Sequence, residues 1–285
     1  DIVTPYIINY STDKQKENLL PKMVKGELIT AIAMTEPNTG SDLQNIKTNA
    51  VIHNNKIILN GSKTFITNGH NANLVLVIAK TDLTKKAKGI SIVLCEDHRK
   101  GFKKGRNLKK IGLKAQDTSE LFFENVELPA ENILGKSGQG FSQLMDELPQ
   151  ERLSIAITAV SAAEAALNWT ISYTKERKAF DKKLIDFQNT KFILSKLKAE
   201  ITVARTFIDR CIKEHINNNF SAEDGAIAKL FCTELQFKVM DECLQLFGGY
   251  GYMQEYPIAK AFMDARVQRI YGGTSEIMKE IISRN

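Results

Sequence analysis

The apolar pattern of this chain changes its period close to Gly138-Gln139-Gly140, and that change constrains the fold more than any other feature. Before it, short runs of Val, Ile, Leu and Phe are bounded by turn dipeptides such as Asn60-Gly61 and Asn68-Gly69, which predicts strands joined by tight turns. After it, apolar residues recur three and four positions apart over long stretches, which predicts helices. The chain therefore combines a β region with a separate helical region.

The first region contains five runs that we predict to be strands of a mainly antiparallel β domain over residues 28–134. These runs are 50–52, 57–59, 74–78, 90–94 and 121–123. The pattern leaves a sandwich and a barrel both open. Residues 1–27 carry Leu19, Leu20 and Met23 at helical spacing and are predicted to be helical.

Residues 135–285 are predicted to form about five helices packed as an up-down bundle, so the expected fold class is α+β. One apolar seam is especially regular and comprises Leu194, Leu197, Ile201, Ala204, Ile208 and Cys211. Asn217 should end that helix, and Ser221 with Asp224 can cap the next one reciprocally. Further helices should begin after Pro257 and after Gly273.

Composition excludes several classes of protein. The 285 residues are 43% hydrophobic and 25% charged, as in ordinary globular domains, and no apolar run approaches the ~18 residues of a membrane span. Four cysteines without a C-x-x-C pair predict reduced core thiols, and four histidines without ligand spacing predict no metal site. The net charge of +6 is small, and no basic surface interleaved with aromatics accompanies it, so we expect no nucleic-acid binding.

Three segments could carry chemistry on their residues alone, and each has a structural alternative. Residues 248–252 are glycine-rich but follow a helix, which rejects a dinucleotide fingerprint and leaves a helix stop or a close backbone approach. The start of the last helix could bind an anion or a carbonyl oxygen, or Thr274 or Ser275 could simply cap it. Glu151 follows Pro149 as if in a first helical turn, where a glutamate usually complements the dipole.

The lysine-rich stretch between residues 103 and 114 could steer a polyphosphate or a nucleic acid. A run of this kind is more often a solvated loop, and we assign it to no partner.

Taken together, these segments resemble the acyl-CoA dehydrogenase family of flavoenzymes. The sequence Ala-Met-Thr-Glu-Pro-Asn-Thr-Gly-Ser-Asp at 33–42 is similar to the family's first signature. Gln-Leu-Phe-Gly-Gly-Tyr-Gly-Tyr at 245–252, with 264–277, is similar to the second. The resemblance covers nearly the whole chain and implies FAD at a subunit interface of a homotetramer. It also implies that most of an N-terminal helical domain is missing, with residues 1–27 its remnant.

The resemblance implies a role in FAD binding for residues in both regions. They are Met34, Thr35, Ser41, Phe65, Thr67, Arg177, Phe180, Gln245, Gly249, Thr274 and Glu276. Phe65 would lie against the isoalloxazine ring, and Arg177 would bind the pyrophosphate of a neighbouring subunit's cofactor. Ser41, Arg152 and Tyr271 are the implied substrate contacts, with Arg152 either placing the CoA moiety or bracing Glu151.

The catalytic base is where the chain departs from the common pattern. Most family members carry a glutamate immediately before the Gly-Thr of the second signature, and this chain has Gly272 there. Residues 148–153 resemble the long-chain type, which carries the base on the first bundle helix, so the resemblance implies Glu151 as the base. The backbone N–H at Gly272 would remain as a donor to the thioester oxygen. Burial against the substrate and the flavin should raise the pKa of the base.

The implied reaction is oxidation of a fatty acyl-CoA to the trans-2-enoyl-CoA, with reduced flavin passing electrons to an electron-transferring flavoprotein. Two alternatives stay open: an inactive CoA-binding or assembly module, and an acyl-CoA oxidase that uses oxygen. We expect the bacterial cytoplasm as the compartment, or the mitochondrial matrix in a eukaryote.

Overall fold

The structure, a computed structural model, describes residues 2–284. These residues divide into two compact units. The first runs from the N-terminal helix to Lys110 and includes Lys114–Glu147, and the second holds Ile111–Leu113 and the chain from Leu148 onward.

The first unit consists of two short helices and a seven-stranded sheet. The helices are α1 (Val3–Tyr10) and α2 (Asp13–Val24). The strands are β1 (Thr30–Ala33), β2 (Asn49–His53), β3 (Lys56–Thr67), β4 (Leu74–Lys80), β5 (Ile90–Glu96), β6 (Phe102–Asn107) and β7 (Thr118–Pro129). The sheet order is β1-β4-β2-β3-β7-β6, with β5 also paired to β4. Strand β4 runs parallel to β1 and β2, and the other pairs are antiparallel, which confirms a mainly antiparallel domain.

All five predicted runs lie within strands, but strands β1 and β6 were not predicted from the pattern. Strand β6 lies at one end of the sheet order and has the sequence Phe-Lys-Lys-Gly-Arg-Asn. Charged side chains on an edge strand discourage pairing with another chain, and they also remove the apolar alternation that marks a strand. The interpretation of the lysine-rich stretch as a loop was therefore wrong at its start, where Lys103 and Lys104 pair with strand β7.

The core of the first unit lies on both faces of the sheet at strand β4. Alternate side chains of this strand enter two different apolar clusters: Val75 and Val77 contribute to one, and Leu74 and Leu76 to the other. Helix α1 packs into the second cluster through Tyr6. A strand buried on both faces reads as a continuous apolar run, and that is how residues 74–79 appear in the sequence.

The second unit is helical apart from one small hairpin. Its helices are α3 (Gly140–Glu176), which begins in the first unit, α4 (Gln188–Ile216), α5 (Ala222–Phe247), α6 (Pro257–Ala265) and α7 (Ser275–Ile282). Strands β8 (Lys178–Ala179) and β9 (Lys182–Lys183) form the hairpin. Every residue of the predicted seam on helix α4 is buried, and Ser221 with Asp224 forms the predicted capping box. The sequence therefore predicted the helical character of this region, the end of helix α4 and the start of helix α5.

No helix within residues 2–284 is both long and apolar enough to cross a membrane. No group of His, Cys, Asp and Glu there has the arrangement of a metal site. The four cysteines are buried free thiols, as their positions beside apolar residues predicted.

Candidate functional site

In the first unit, the segment of the first signature lies beside strand β3. The backbone N–H of Thr64 donates to the carbonyl oxygen of Thr35 at 2.9 Å, which joins the signature segment after strand β1 to strand β3. Met34 and Thr35 are half-buried there. Ser41 is exposed in the loop that follows, and no bond of the kind at Thr35 ties it to strand β3 within the described residues. The structure thus brings Met34 and Thr35 next to the strand that carries Phe65.

A buried ion pair fixes this junction. The ammonium of Lys63 donates to Oε1 of Glu36 and to the carbonyl oxygen of Met34, both at 2.9 Å. The other donors to the Glu36 carboxylate are the backbone N–H groups of Lys47 at 2.7 Å and Thr48 at 2.9 Å. Burial lowers the pKa of Lys63 to about 8. Burial acts to raise the pKa of Glu36, but Lys63 and the N–H donors hold it below its ordinary value.

Phe65 is presented by a break in the register of strand β3. The pairing of strand β3 with strand β7 shifts between Lys63 and Ile66, and Phe65 has a left-handed backbone with φ of 59°. Its ring is 67% exposed, and Thr67 is also exposed. Bulges of this kind redirect a side chain next to active sites, at a cost of about 1–3 kcal/mol in backbone strain. An exposed aromatic ring held in a strained conformation is suited to contact a ligand.

In the second unit, three of the predicted FAD contacts line one cavity. Arg177, Gln245 and Gly249 surround a volume of about 530 Å³. The Arg177 guanidinium carbon lies 5.6 Å from the centroid of the Tyr250 ring, a cation–π geometry that holds the side chain beside the glycine-rich segment. The structure therefore places the guanidinium of Arg177 in the same cavity as the exposed backbone at Gly249, and both can bind a phosphate group.

Gly249 faces open space within its own unit. A β-carbon built at this position would meet no other atom within 4 Å, so packing in the chain does not explain the glycine. Phe180 lies elsewhere, in the turn between strands β8 and β9, where it is 89% exposed and outside the residues that line the cavity. Helix α5 ends at Phe247 with Gly248 at φ of 59°, which confirms the helix stop expected of residues 248–252, and the open space at Gly249 leaves room for a close backbone approach.

The second signature ends in a glycine loop that precedes helix α7. Gly272 and Gly273 have φ of 63° and 95°, left-handed values that favour glycine. Thr274 caps the helix, because its hydroxyl oxygen accepts the N–H of Ile277 at 3.3 Å. Glu276 is exposed in the first turn, and a hydrogen bond from its own backbone N–H is the main reason that its pKa lies below the ordinary value. The Tyr271 hydroxyl donates to Gln268 at 2.8 Å.

Glu151 lies in the interior of helix α3 and not in a first turn. The helix begins at Gly140 and contains Pro149, so the prediction that Pro149 starts a helix was wrong. A proline inside a helix lacks one N–H bond and crowds the carbonyl group four residues earlier, but helix α3 continues through Pro149. The field of the helix terminus does not extend this far. Glu151 is nevertheless only 8% exposed, so its carboxylate is largely shielded from water.

Arg152 joins this part of helix α3 to the glycine loop. Its Nε donates to the carbonyl oxygen of Gly272 at 3.2 Å, and its side chain is buried. A β-carbon at Gly272 would lie 2.6 Å from Cδ1 of Ile155, so the loop also packs closely against helix α3. Glu151, Arg152 and Gly272 are thus brought into one region of the second unit.

Two family profiles match the chain. The profile described as "Acyl-CoA dehydrogenase, C-terminal domain" matches residues 138–285, more than half of the chain. The profile described as "Acyl-CoA dehydrogenase, middle domain" matches residues 31–126. The chain belongs to the acyl-CoA dehydrogenase family.

Curated relatives in the acyl-CoA dehydrogenase family align with nearly all of the chain. It is 53% identical to the mitochondrial long-chain specific acyl-CoA dehydrogenase of Mus musculus over 286 residues, which cover 100% of this chain and 66% of that protein. It is 39% identical to the short-chain specific acyl-CoA dehydrogenase of Clostridium acetobutylicum, covering 97% of this chain and 73% of that protein. The chain thus spans about two thirds of the mouse relative's length.

The fold agrees with solved structures of acyl-CoA dehydrogenases. The acyl-CoA dehydrogenase of Geobacillus kaustophilus superimposes with a TM-score of 0.98 at 50% identity, over 100% of this chain and 75% of that one. The combination of β domain and helical bundle is therefore confirmed as the fold of the family.

Two buried lysines of this family member were missed by sequence reasoning. Lys63 pairs with Glu36, and Lys229 is fully buried on helix α5 with its ammonium 2.6 Å from the carbonyl oxygen of Gly273. Each lies next to a signature segment. The available signal was position: Lys229 falls between Ala228 and Leu230 in a run that is otherwise apolar, and a lysine is almost never fully buried unless it is paired.

Proposed function

We propose that the protein catalyses FAD-dependent α,β-dehydrogenation of a fatty acyl-CoA thioester to the trans-2-enoyl-CoA. Glu151 takes the α-proton onto its carboxylate. When bound, FAD supplies the two-electron acceptor that receives the β-hydrogen as a hydride. The two hydrogens leave with one electron pair, and a carbon–carbon double bond remains.

The observation that carries the proposal is the hydrogen bond from Arg152 to Gly272. Arg152 follows Glu151, the candidate base, on helix α3. The hydrogen bond therefore joins this part of the helix to the glycine loop, where the N–H of Gly272 is the candidate donor to the thioester oxygen. A thioester α-carbon is a weak acid, so its enolate charge has to be stabilised while the proton leaves. A base and a donor held in one region of the same unit meet that need.

The chain's own residues fit a flavin nucleotide. Arg177 offers a guanidinium beside the open backbone at Gly249, which suits a pyrophosphate, and Phe65 offers an exposed ring, which suits a flat heterocycle. Gln245 would add an amide contact in the same cavity as Arg177. Thr274 and Glu276 remain predicted contacts at the start of helix α7.

Substitution of Glu151 by Gln tests the proposal. Glu151→Gln keeps the shape of the side chain but removes the base, so anaerobic flavin reduction by acyl-CoA should slow by about 10²- to 10⁴-fold while FAD stays bound. The matched control is Glu164→Gln on the same helix, where the carboxylate pairs with Arg205 at 2.6 Å and should not affect the rate. Reduction of Glu151→Gln at the wild-type rate would contradict the assignment of the base.

The visible spectrum of the purified protein separates the alternative functions. Flavin bands that bleach on anaerobic addition of acyl-CoA support the dehydrogenase. Rapid release of hydrogen peroxide in air indicates an oxidase, and a protein that stays colourless with added FAD indicates a CoA-binding or assembly module.

We also propose an electron-transferring flavoprotein as the electron acceptor and a homotetramer as the assembly. A structure entitled "Electron transferring flavoprotein of Acidaminococcus fermentans: Towards a mechanism of flavin-based electron bifurcation" contains a chain that superimposes on this one with a TM-score of 0.95 at 35% identity. That similarity supports a redox partner of this kind. Sedimentation equilibrium tests the assembly, and stopped-flow oxidation of the reduced protein by such a flavoprotein tests the acceptor.

A further inference from the structure

The glycine loop before helix α7 cannot hold its own shape. Gly272 and Gly273 are consecutive and both left-handed, and glycine has more conformational freedom than any other residue. The function proposed above requires a backbone donor fixed in direction before substrate arrives, because a donor that must first reorganise stabilises developing charge poorly. Groups outside the loop therefore have to set its geometry.

Two cationic side chains from different helices hold the loop by consecutive carbonyl groups. Arg152 of helix α3 donates to the carbonyl oxygen of Gly272 at 3.2 Å, and Lys229 of helix α5 donates to that of Gly273 at 2.6 Å. Both side chains are buried, and that of Lys229 is 0% exposed. Hydrogen bonds from charged donors are roughly twice as strong as neutral ones, and more so where water is excluded.

These contacts also fix where the N–H groups of the loop point. A trans peptide unit is planar, with its N–H directed opposite to its C=O. Because the carbonyl groups of Gly272 and Gly273 are directed at Arg152 and Lys229, the N–H groups of Gly273 and Thr274 are directed away from these two cations. The peptide unit between Gly272 and Gly273 is thereby fixed on one side of the Gly272 α-carbon. This restricts the rotation of the preceding peptide unit, which carries the N–H of Gly272.

A fully buried lysine is a costly way to hold a loop. An ammonium loses its hydration on burial, and Lys229 also lies near two cations, Arg152 and Arg269, with Glu234 and Glu276 as the opposing charges. Burial lowers the pKa of Lys229 to about 8. Glu234 also accepts bonds from Arg269 and from the Ser275 hydroxyl, so part of its charge is already matched. Such a cost is accounted for if the peptide groups of the loop have to point in fixed directions.

We infer that Lys229 is a positioning residue: through the carbonyl group of Gly273 it fixes the geometry of the glycine loop, and with it the backbone N–H of Gly272 that the proposed function directs at the thioester oxygen. The inference rests on the proposed function, since it assigns Lys229 a part in that reaction. Lys229 acts through the carbonyl group of Gly273 and does not itself contact the reacting atoms.

Amide hydrogen exchange of the purified protein tests the positioning directly. Lys229→Met removes the donor while keeping a long unbranched side chain, so the amides of residues 272–275 should exchange about tenfold faster, with other segments unchanged. The matched control is Lys238→Met on the same helix, where the ammonium pairs with Glu200 at 2.7 Å. Exchange at wild-type rates in Lys229→Met would overturn the inference.

Two measurements on the flavin-loaded protein separate positioning from a merely structural role. Lys229→Met should slow anaerobic flavin reduction by acyl-CoA by about 100-fold, the loss typical of a misplacement of about 1 Å, with its thermal midpoint close to that of Lys238→Met. An octanoyl-CoA analogue with sulfur in place of carbon 3 can lose its α-proton but not a hydride. This probe should bind the variant within about threefold of the wild-type affinity but deprotonate at a higher pH, because its enolate is less stabilised.

The outcomes distinguish this inference from the proposed function. Faster loop exchange with an unchanged reduction rate overturns the role of Lys229 and leaves the dehydrogenase intact. Failure of the wild type to be reduced by any acyl-CoA overturns the proposed function and, with it, the thioester target of the loop. If Lys229→Met does not fold, Lys229→Gln keeps a neutral donor and should give intermediate exchange and reduction rates; wild-type rates in that variant would overturn the inference.

Discussion

Lys63 and Glu36 form a buried ion pair, with 2.9 Å between Nζ and Oε1 and side-chain exposures of 0% and 7%. The pair joins strand β3 to the signature segment after strand β1, because Lys63 also donates to the carbonyl oxygen of Met34. Two residues predicted to contact the flavin, Met34 and Phe65, therefore lie next to a charge pair that is itself almost completely buried. The pair links the stability of the first unit to the geometry of its candidate site.

Removing one member of this pair should be strongly destabilising. Lys63→Met leaves the Glu36 carboxylate buried and without its cation, which costs about 3–5 kcal/mol in the free energy of unfolding. The control is Lys56→Met, since Lys56 forms an exposed pair with Glu127 at 3.0 Å, and such pairs contribute less than about 1 kcal/mol. Urea unfolding followed by circular dichroism measures both values. Similar losses in the two variants would show that the buried pair does not stabilise the first unit.

Acid should weaken the stabilisation that Glu36 supplies. The pKa of Glu36 in the folded protein lies below its ordinary value of 4.5, so this group adds stability above that value, and the stability is lost as the pH falls through the folded pKa. We expect the difference in thermal midpoint between wild type and Glu36→Gln to be largest near pH 7 and to shrink steadily below pH 4.5. A difference that stays constant down to the acid transition would contradict this assignment.

Local signals predicted much of the fold. The capping box at Ser221 and the apolar seam on helix α4 are written in residues three and four positions apart, so one stretch of sequence is enough to identify them. Strand β6 was missed because its pairing with strand β7 depends on a partner elsewhere in the chain, while its own residues are charged.

Contacts between residues that are far apart in the sequence limited how much of the candidate site could be predicted. Family resemblance, and not local pattern, pointed to Glu151. The local pattern placed Glu151 in a first helical turn after Pro149, whereas helix α3 begins at Gly140. Lys63 and Glu36 are 27 positions apart, and Lys229 and Gly273 are 44 apart. No periodicity relates such residues, because the sheet register and the helix packing bring them together.

The left-handed backbone at Phe65 allows stability and cofactor binding to change in opposite directions. Phe65→Gly relieves strain at φ of 59° and removes a ring that is 67% exposed, so the apoprotein should be as stable as wild type or more stable by about 1 kcal/mol. The same change should weaken FAD binding, because an aromatic contact is lost. Asn55→Gly, at φ of 61°, is the control for introducing glycine at a left-handed position away from the site, and it should relieve less strain because asparagine tolerates this conformation better than phenylalanine. Thermal midpoints measured with and without FAD separate the two effects, and unchanged FAD affinity in Phe65→Gly would remove Phe65 from the cofactor site.

Arg177 should determine how tightly the second unit holds an anionic nucleotide. Its guanidinium lies over the Tyr250 ring and lines the same cavity as Gln245 and Gly249, so it is already oriented before a ligand arrives. Arg177→Met should therefore weaken FAD binding by at least about tenfold, since a hydrogen bond to a charged group is worth about 1.5–3 kcal/mol. Lys175→Met, at an exposed lysine in the last turn of helix α3, removes the same charge close by and is expected to leave the affinity within about twofold. Equilibrium titration with FAD measures both, and the difference between them should persist at high salt, because a direct contact is screened much less than a general field. Equal losses in the two variants would mean that the cavity attracts FAD only through its overall charge.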